Sequence, residues 1–319
     1  MKNIYSNIFS YDKKSLYKTI SNLKKGNIVG LPTETVYGLA GNAYCKESIK
    51  KIYKIKKRPK INPLIVHFFN DINAKNDVVL NANFFKLYKK FCPGPITFIL
   101  KKKSNSKIHS LVSANLNTVA IRFPSHKIVR SILKKINFPL AMPSANISSS
   151  VSPVNAQDVA DEFKTSLKFI INGGKSKIGI ESTVIDLTRK PTILRPGIIG
   201  IDVIQKVLQK KIIFLKKNSK IISPGMLKKH YSPGIPVILN KEPDNGRYAY
   251  ITLGKKYKNK KNYFNLSKKS NLKEAASNLY KTLRKIKKLK FKKIFVVRIP
   301  STGAGIAIND RLIRAAKKK

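Results

Sequence analysis

"LPTETVYGLAGNAYCKESIKKIYKIKKRPKINPLIVH" occupies residues 31–67 and joins an apolar segment, a helical pattern, a basic loop and a second apolar segment. Within it, residues 46–57 place Ile49 and Ile52 on one face of a predicted helix, which Pro59 ends. The following run, PLIVHF, predicts a buried strand. A basic loop between a helix and a buried strand is typical of an α/β sheet, in which ligands bind at the strand ends.

The same alternation continues through the first part of the chain. Helical spacing is seen at 12–25, 46–57, 81–91, 126–136, in NAQDVADEF and at 201–210; apolar segments that predict strands are NIVGL, PLIVHF, PGPITFIL, TVAIRF, PLAMPS, KFIIN, STVIDL and TILRPG. The last three strands follow one another without a long helix between them. We therefore expect an α/β fold whose twisted sheet has mixed strand directions.

The composition changes after residue 210. Two Ser-Pro-Gly turns indicate a linker over residues 211–235. Beyond it, the strands RYAYITLG and KIFVVRIP and the helical stretches 270–290 and 306–317 predict a second, smaller α/β domain. The predicted domains are thus 1–210 and 236–319, and the smaller one is expected to be Rossmann-like.

The chain of 319 residues has a formal net charge of +51. Such a charge indicates a polyanionic partner. However, the lysines are scattered along the whole sequence, whereas a nucleic-acid groove gathers arginine and aromatic residues on one face. We interpret most of the charge as compositional drift, which makes the few arginines the more informative cations and leaves a contact with nucleic acid open.

Several classes of protein are disfavoured by the sequence. No apolar run reaches the roughly 20 residues that span a bilayer, and the N-terminus lacks the pattern of a signal peptide, so we expect a cytoplasmic protein without membrane contact. Cys45 and Cys92 lie in no C-x-x-C motif and no His-x-x-x-His accompanies them. We therefore expect no zinc site and no metal held by the protein alone.

Cationic residues recur near predicted strand ends. Lys56 and Arg58 either complement a helix dipole or bind an anion, and His67 is either a core residue or a ligand group. Arg122 and Arg195 either reach solvent or await a carboxylate or phosphate, which arginine binds with two parallel hydrogen bonds.

Hydroxyl groups accompany these cations. The stretch MPSANISSSVSP, residues 142–153, is either a flexible polar loop or a phosphate cradle, and Ser182 with Thr183 supplies a second hydroxyl pair. The sequence shows no G-x-S-x-G nucleophile elbow and no acid pair suited to glycosidic cleavage. Nucleotidyl transfer fits these residues, since positioning and charge neutralisation dominate its catalysis.

Several of these motifs, in one order along nearly the whole chain, resemble the YrdC-like threonylcarbamoyl-AMP synthases in their longer, two-domain form. The matching segments are LPTETVYGL, KIKKRPKINPLIVH, CPGPITFIL, TVAIRFPSH, PSANISSSVSP, ESTVIDL, LRPGIIG, SPGMLKKHYSP and STGAGIAINDRLIRAA. The resemblance implies condensation of L-threonine, bicarbonate and ATP, with Mg²⁺ expected on ATP, into threonylcarbamoyl-AMP and pyrophosphate. A downstream tRNA threonylcarbamoyl transferase would use the product, and a contact of this basic chain with tRNA itself stays open.

The resemblance also implies site residues, matched motif by motif. Threonine would contact Thr33, Thr35, His67, Arg122, Met142 and Ser182. ATP would contact Lys56, Arg58, Asn62, Thr118, Ser144, Asn146, Ser152 and Arg195, with His230 and Tyr231 folding over the nucleotide as a lid.

The match has departures and competitors. A small residue is expected where Met142 stands, glycine where Ser149 stands, and threonine where Val154 stands. One alternative is an RNA-binding module of the same fold without catalysis. Another is a relative that acts on carbamoyl-AMP, although the zinc-finger and acylphosphatase segments that accompany that role are absent from the sequence.

Overall fold

The computed structural model describes residues 5–214, 223, 230–244, 246–257 and 260–317. They form a large mixed sheet with helices and a smaller, wholly parallel sheet with helices. The predicted fold class, a twisted mixed α/β sheet followed by a small Rossmann-like α/β domain, is confirmed. Within these ranges, no helix combines the length and the apolar character needed to cross a membrane.

The large sheet has eleven strands in the order β1-β8-β2-β3-β7-β4-β6-β5-β9-β10-β11. The sheet contains both parallel pairs, such as β4 with β6, and antiparallel pairs, such as β5 with β6. The strands are β1 (Ile8–Ser10), β2 (Val29–Leu31), β3 (Gly38–Asn42), β4 (Ile65–His67), β5 (Ile96–Lys101), β6 (Thr118–Arg122), β7 (Leu140–Ala141), β8 (Ile170–Asn172), β9 (Thr183–Asp186), β10 (Thr192–Arg195) and β11 (Ile213–Phe214).

Helices cover this sheet, and local sequence explains where they begin and end. They are α1 (Lys13–Lys24), α2 (Lys46–Lys56), α3 (Asp71–Ala74), α4 (Ala82–Phe91), α5 (Lys127–Lys135), α6 (Ala156–Phe163) and α7 (Ile201–Leu208). At the start of α1, Asp12 and Ser15 form a capping box. At the end of α2, Lys57 adopts a left-handed φ of 48°, which turns the chain before Pro59.

The smaller sheet has the strand order β12-β15-β13-β14. Its elements are β12 (Val237–Leu239), β13 (Ala249–Thr252), β14 (Tyr263–Asn265), α8 (Leu272–Lys288), β15 (Ile294–Val296) and α9 (Ala304–Ala316). The predicted domain limits stay predictions, although β11, inside the predicted linker, pairs with β10 of the large sheet. Of the predicted Ser-Pro-Gly turn at 223–225, residues 224–225 lie outside the described residues.

The sequence did not indicate strand β3, and glycine explains why. A Cβ atom at Gly38 would lie 2.4 Å from the Met142 Cγ atom, and one at Gly41 would lie 3.1 Å from the Ile52 Cδ1 atom. Close packing therefore needs glycine at these positions, but glycine is depleted in strands and breaks the apolar alternation that predicts them. Strands β1, β12 and β14, which have three residues each, were also not predicted.

An aromatic cluster anchors α4 to the large sheet. Phe84 is fully buried, and its ring centroid lies 5.1 Å from that of Phe98 and 6.0 Å from that of Phe123. Its neighbour Phe85 is 47% exposed. Phe84 thus faces the core, whereas the adjacent Phe85 faces the solvent.

We predict that Phe84→Ala lowers the free energy of unfolding by about 3–5 kcal/mol, because it leaves a cavity between α4 and the sheet. Phe85→Ala, the matched control, should lower it by less than about 1 kcal/mol. Urea unfolding measures both. Equal losses for the two variants would contradict this assignment of the core.

Candidate active site

A cleft opens where strands β4 and β6 end side by side. His67 and Arg122 are register partners at this edge of the sheet. The cleft lining includes most of the predicted site residues, namely Thr33, Thr35, Arg58, His67, Arg122, Met142, Ser144, Arg195, His230 and Tyr231. The remaining predicted residues, Lys56, Asn62, Thr118, Asn146, Ser152 and Ser182, lie outside that lining.

The two threonines after Pro32 have different hydrogen-bonding states. The Thr33 hydroxyl donates to the Val36 carbonyl over 2.6 Å and accepts from the backbone N–H groups of Thr35 and Val36. The Thr35 hydroxyl lies 2.8 Å from the Thr33 hydroxyl. Because the Thr33 hydrogen is already donated to Val36, Thr35 is the donor in the bond between the two hydroxyls. Thr33 thus shapes the turn, whereas Thr35 keeps its oxygen lone pairs for a ligand in the cleft.

Arg122 is buried and paired with an acid that sequence reasoning had not matched to it. One terminal nitrogen donates to Glu34 Oε1 over 2.6 Å, and Glu34 Oε2 accepts from the backbone N–H of Ser125 over 3.2 Å. The Arg122 Nε atom has no partner among the described residues. Glu34 therefore anchors the guanidinium while leaving part of its donor face free.

The serine loop is fastened by Lys56. Its ammonium group donates to the backbone carbonyls of Ser144 and Asn146, and its own carbonyl accepts from the Ser148 N–H over 2.8 Å. The Asn146 amide in turn donates to the carbonyls of Ile147 and Ser150. Lys56 and Asn146 thus position the loop, and Ser144 presents it to the cleft.

Arg58 is oriented by the loop that follows it. Its Nε donates to the Asn62 carbonyl over 2.9 Å, and NH2 donates to Asn62 Oδ1 and to the Pro63 carbonyl. Lys56 and Arg58, which flank Lys57, therefore bind two different loops. Asn62 therefore contributes to the cleft through Arg58.

On the opposite wall, Arg195 is held by Ser182. Its Nε donates to the Ser182 carbonyl and its NH2 to the Ser182 hydroxyl, both over 3.1 Å. That hydroxyl also lies 2.7 Å from the Thr97 hydroxyl. A Cβ atom at Gly197 would lie 2.3 Å from the Thr183 nitrogen. Only glycine therefore permits the segment after β10 to approach the start of β9 so closely.

Glu181, which was not among the predicted site residues, joins the cleft to the smaller domain. Its carboxylate accepts from Ser152 Oγ over 2.6 Å, from Tyr280 Oη over 2.7 Å and from Arg311 Nε over 3.1 Å. Burial raises the pKa of this carboxyl, but the charges of Arg311 and Arg195 outweigh it and lower the pKa to about 2. Glu181 is therefore ionised at neutral pH.

The predicted lid residues close one side of the cleft. The rings of His230 and Tyr231 lie 4.0 Å apart, and Tyr231 stacks on Tyr280 at 5.7 Å. Burial lowers the pKa of His230 to about 3. Burial, with the charge of Arg122, also holds the pKa of His67 well below its ordinary value. Both imidazoles are therefore neutral and act as hydrogen-bonding groups.

The cleft carries more buried positive charge than its acids balance. Burial lowers the pKa of Lys56 well below its ordinary value, that of Arg58 to about 10, and that of Arg195 as well. The nearby carboxylates, Glu34 and Glu181, are each already paired with an arginine. An anionic ligand would offset this unfavourable burial of charge.

Unpaired polar atoms surround the cleft as well. In the described part of the chain, the buried atoms without a hydrogen-bond partner include Asn62 Nδ2, Arg122 Nε, Asn146 Oδ1, His230 Nδ1 and Tyr231 Oη. Buried polar groups are normally paired, so the unpaired atoms of the three cleft-lining residues, Arg122, His230 and Tyr231, indicate a polar ligand. No three His, Cys, Asp or Glu side chains come together as a metal site within the same ranges.

Comparisons with known proteins identify the family. A family model described as "Telomere recombination", covering Sua5, YciO and YrdC proteins, matches residues 21–197, and a model of the threonylcarbamoyl-AMP synthase C-terminal domain matches residues 199–317. The chain is 34% identical to the threonylcarbamoyl-AMP synthase of Pyrococcus abyssi over 316 residues, 92% of each chain. The chain belongs to the threonylcarbamoyl-AMP synthase family.

Two further comparisons agree with this membership. The threonylcarbamoyl-AMP synthase of Bacillus subtilis is 35% identical over 315 residues, which cover 92% of this chain and 90% of that protein. The crystal structure of P. abyssi Sua5 complexed with L-threonine superimposes with a TM-score of 0.89 at 31% identity, covering 97% of each chain. The two-domain form expected from the sequence is thus confirmed.

Two departures from the family pattern have a structural explanation. The Met142 side chain lies over Gly38, which has no side chain of its own, so the larger residue is accommodated. Ser149 has a φ of 71°, the left-handed region in which the family's glycine is unstrained. Thr118 lies at the opposite end of β6 from Arg122, paired with Lys101, so its predicted ATP contact stays a prediction.

We predict that Glu34→Ala lowers the free energy of unfolding by about 3–5 kcal/mol, because it leaves the Arg122 guanidinium buried and unpaired. The double variant Glu34→Ala/Arg122→Met removes both charges and should recover a large part of that loss. Urea unfolding of the wild type, Glu34→Ala, Arg122→Met and the double variant provides the cycle. Additive effects in the double variant would show that the two side chains do not stabilise each other.

Proposed function

We propose that this protein condenses L-threonine, bicarbonate and ATP into threonylcarbamoyl-AMP and pyrophosphate, as a nucleotidyltransferase. The observation that carries the proposal is the buried, cation-rich cleft at the ends of β4 and β6, in which the nearby acids are already paired. A triphosphate and an amino-acid carboxylate are anions that such a cleft would bind. Family membership supports the same reaction.

Threonine is proposed to bind at the His67 end of the cleft. The free donors of Arg122 would hold its carboxylate, and the Thr35 hydroxyl would accept from its ammonium group. Neutral His67 would offer a hydrogen bond without adding charge. Apolar atoms of Met142 and Ile65, which also line the cleft, would contact the threonine methyl group. The P. abyssi structure, solved with L-threonine, supports an amino-acid site in this fold.

ATP is proposed to occupy the side between Arg58 and Arg195. Arg58, Arg195 and Ser144 line this side and would contact the phosphates. His230 and Tyr231 would cover the nucleotide. A cover is useful because carbamoyl-adenylates hydrolyse, and excluding water protects such an intermediate.

The chemistry follows from the absence of an evident protein nucleophile in the sequence. The threonine ammonium group would first lose a proton to solvent, and the resulting amine would attack bicarbonate and release water, which gives a carbamate. A carbamate oxygen would then attack the α-phosphorus of ATP and displace pyrophosphate. Arg58 and Arg195 would balance the charge that develops on the phosphates, so the protein contributes positioning and electrostatic stabilisation.

Mg²⁺ is proposed to enter as its complex with ATP. The carboxylates next to the cleft, Glu34 and Glu181, are occupied by arginine partners, so the triphosphate oxygens are the better ligands for a hard cation. Bound in this way, Mg²⁺ would neutralise phosphate charge. The product would pass in the cytoplasm to a tRNA threonylcarbamoyl transferase.

Pyrophosphate release tests the proposed reaction. With threonine, bicarbonate and Mg-ATP present, we expect release that falls at least about tenfold when threonine or bicarbonate is omitted, because the carbamate cannot form. Release that is independent of threonine would overturn the proposal. Salt-sensitive RNA binding without any turnover would instead favour the non-catalytic alternative.

Arg122→Lys tests the threonine clamp. Lysine keeps the charge opposite Glu34 but loses the bidentate geometry, so we expect the KM for threonine to rise at least about tenfold and the KM for ATP to change less than about threefold. The control is Arg130→Lys, because Arg130 stacks on Phe69 and lies outside the cleft lining. Equal increases in both KM values would contradict the clamp.

A further inference from the structure

Glu181 is a buried carboxylate in a cleft that we propose binds a polyanion. Simple electrostatics disfavours this arrangement, because the carboxylate would repel the phosphates of ATP. Its two oxygens are nevertheless fully engaged: Oε1 accepts from Ser152, and Oε2 accepts from Tyr280 and Arg311. Both partners of Oε2 belong to helices of the smaller domain, α8 and α9.

Tyr280 and Arg311 are also the side chains against which Tyr231 packs. The Tyr280 ring stacks on Tyr231 with centroids 5.7 Å apart, and the Arg311 guanidinium carbon lies 5.2 Å from the Tyr231 ring centroid. Both side chains are fully buried. A chain of contacts therefore leads from Glu181 through two residues of the smaller domain to the residue that covers the cleft.

Tyr231 needs such support. Its φ is 62°, in the left-handed region that bulky residues rarely adopt and that surrounding packing must maintain. Its side chain is fully buried, and its hydroxyl has no hydrogen-bond partner among the described residues. Ring contacts with Tyr280, Arg311 and His230 therefore hold it in place.

We propose that Glu181 is a positioning residue for the adenylation reaction, which fixes Tyr280 and Arg311 so that they hold Tyr231 closed over the nucleotide. The role rests on the proposed function. It gives the smaller domain a part in catalysis that requires no contact of its own with the reacting atoms. It also explains why a carboxylate lies in this cleft, since its Oε2 atom binds both Tyr280 and Arg311, the residues that hold Tyr231.

Two readings of Glu181 predict opposite results for Glu181→Gln. If the carboxylate only opposes the phosphates, its neutralisation should lower the KM for ATP. If it positions the cover, its loss should raise that KM at least about fivefold, because Gln presents an amide donor or a weaker acceptor to Tyr280 and Arg311. A lower or unchanged KM for ATP in this variant overturns the proposal.

Tyr280→Phe provides the second variant, because it deletes one hydroxyl and leaves the stacked ring and all charges in place. We expect the KM for ATP to rise at least about threefold. The double variant with Glu181→Gln should show less than the product of the two effects, because both break the same hydrogen bond. If the increase in the KM for ATP in the double variant equals the product of the two single increases, the shared contact is contradicted.

Tyr250→Phe is the matched control. Tyr250 is also fully buried in the smaller domain, and its hydroxyl also donates to a carboxylate, Asp244, but it contacts neither Glu181 nor Tyr231. Its KM for ATP should stay within about twofold of the wild type. Wild-type protein without threonine-dependent pyrophosphate release would mean that the proposed function fails. If the wild type is active but Tyr280→Phe and Tyr250→Phe have the same KM for ATP, the positioning role alone is overturned.

Discussion

Burial of more positive charge than the neighbouring acids balance is the constraint on which the cleft depends. A guanidinium or ammonium group in such a place is tolerated when most of its donors are satisfied. The fold meets this condition mainly with backbone carbonyls: Lys56 binds the serine loop, Arg58 binds the 62–63 loop, and Arg195 binds Ser182. Carbonyls stabilise a cation without cancelling its charge. The sheet edge can therefore be both well ordered and strongly attractive to anions.

Repetition in the sequence determined which parts of the fold could be predicted. Helices with several turns and one apolar face, such as α2 and α8, were recognisable because a period of 3.6 residues repeats within them. Strand β3 was not, since close approach of Met142 requires glycine at Gly38. Helix α9 begins at Ala304, two residues before the predicted start. Helix ends depend on local capping and tertiary contacts more than on periodicity.

The candidate site shows a different limit. Motif order located nearly all the polar residues that gather at the cleft, but it did not give their partners. The Arg122–Glu34 pair spans 88 positions, and the Arg311–Glu181 pair spans 130. Nothing local in the sequence distinguishes an arginine that awaits a ligand from one already bound to a distant acid. Consequently, most of the residues assigned to ligands by resemblance either face the cleft or orient residues that do, whereas Thr118 lies at the far end of β6.

The smaller domain is integrated with this arrangement through its apolar core as well as through Glu181. Val36, Val151 and Ile180 of the larger domain belong to the same buried cluster as Leu279 and Ile308 of the smaller one. The first of these lies one residue after Thr35, and the others flank Ser152 and Glu181. Loss of packing in the smaller domain would therefore disturb the cleft walls directly. A continuous core explains how a domain outside the large sheet can influence a site at that sheet's edge, because dense packing transmits small displacements.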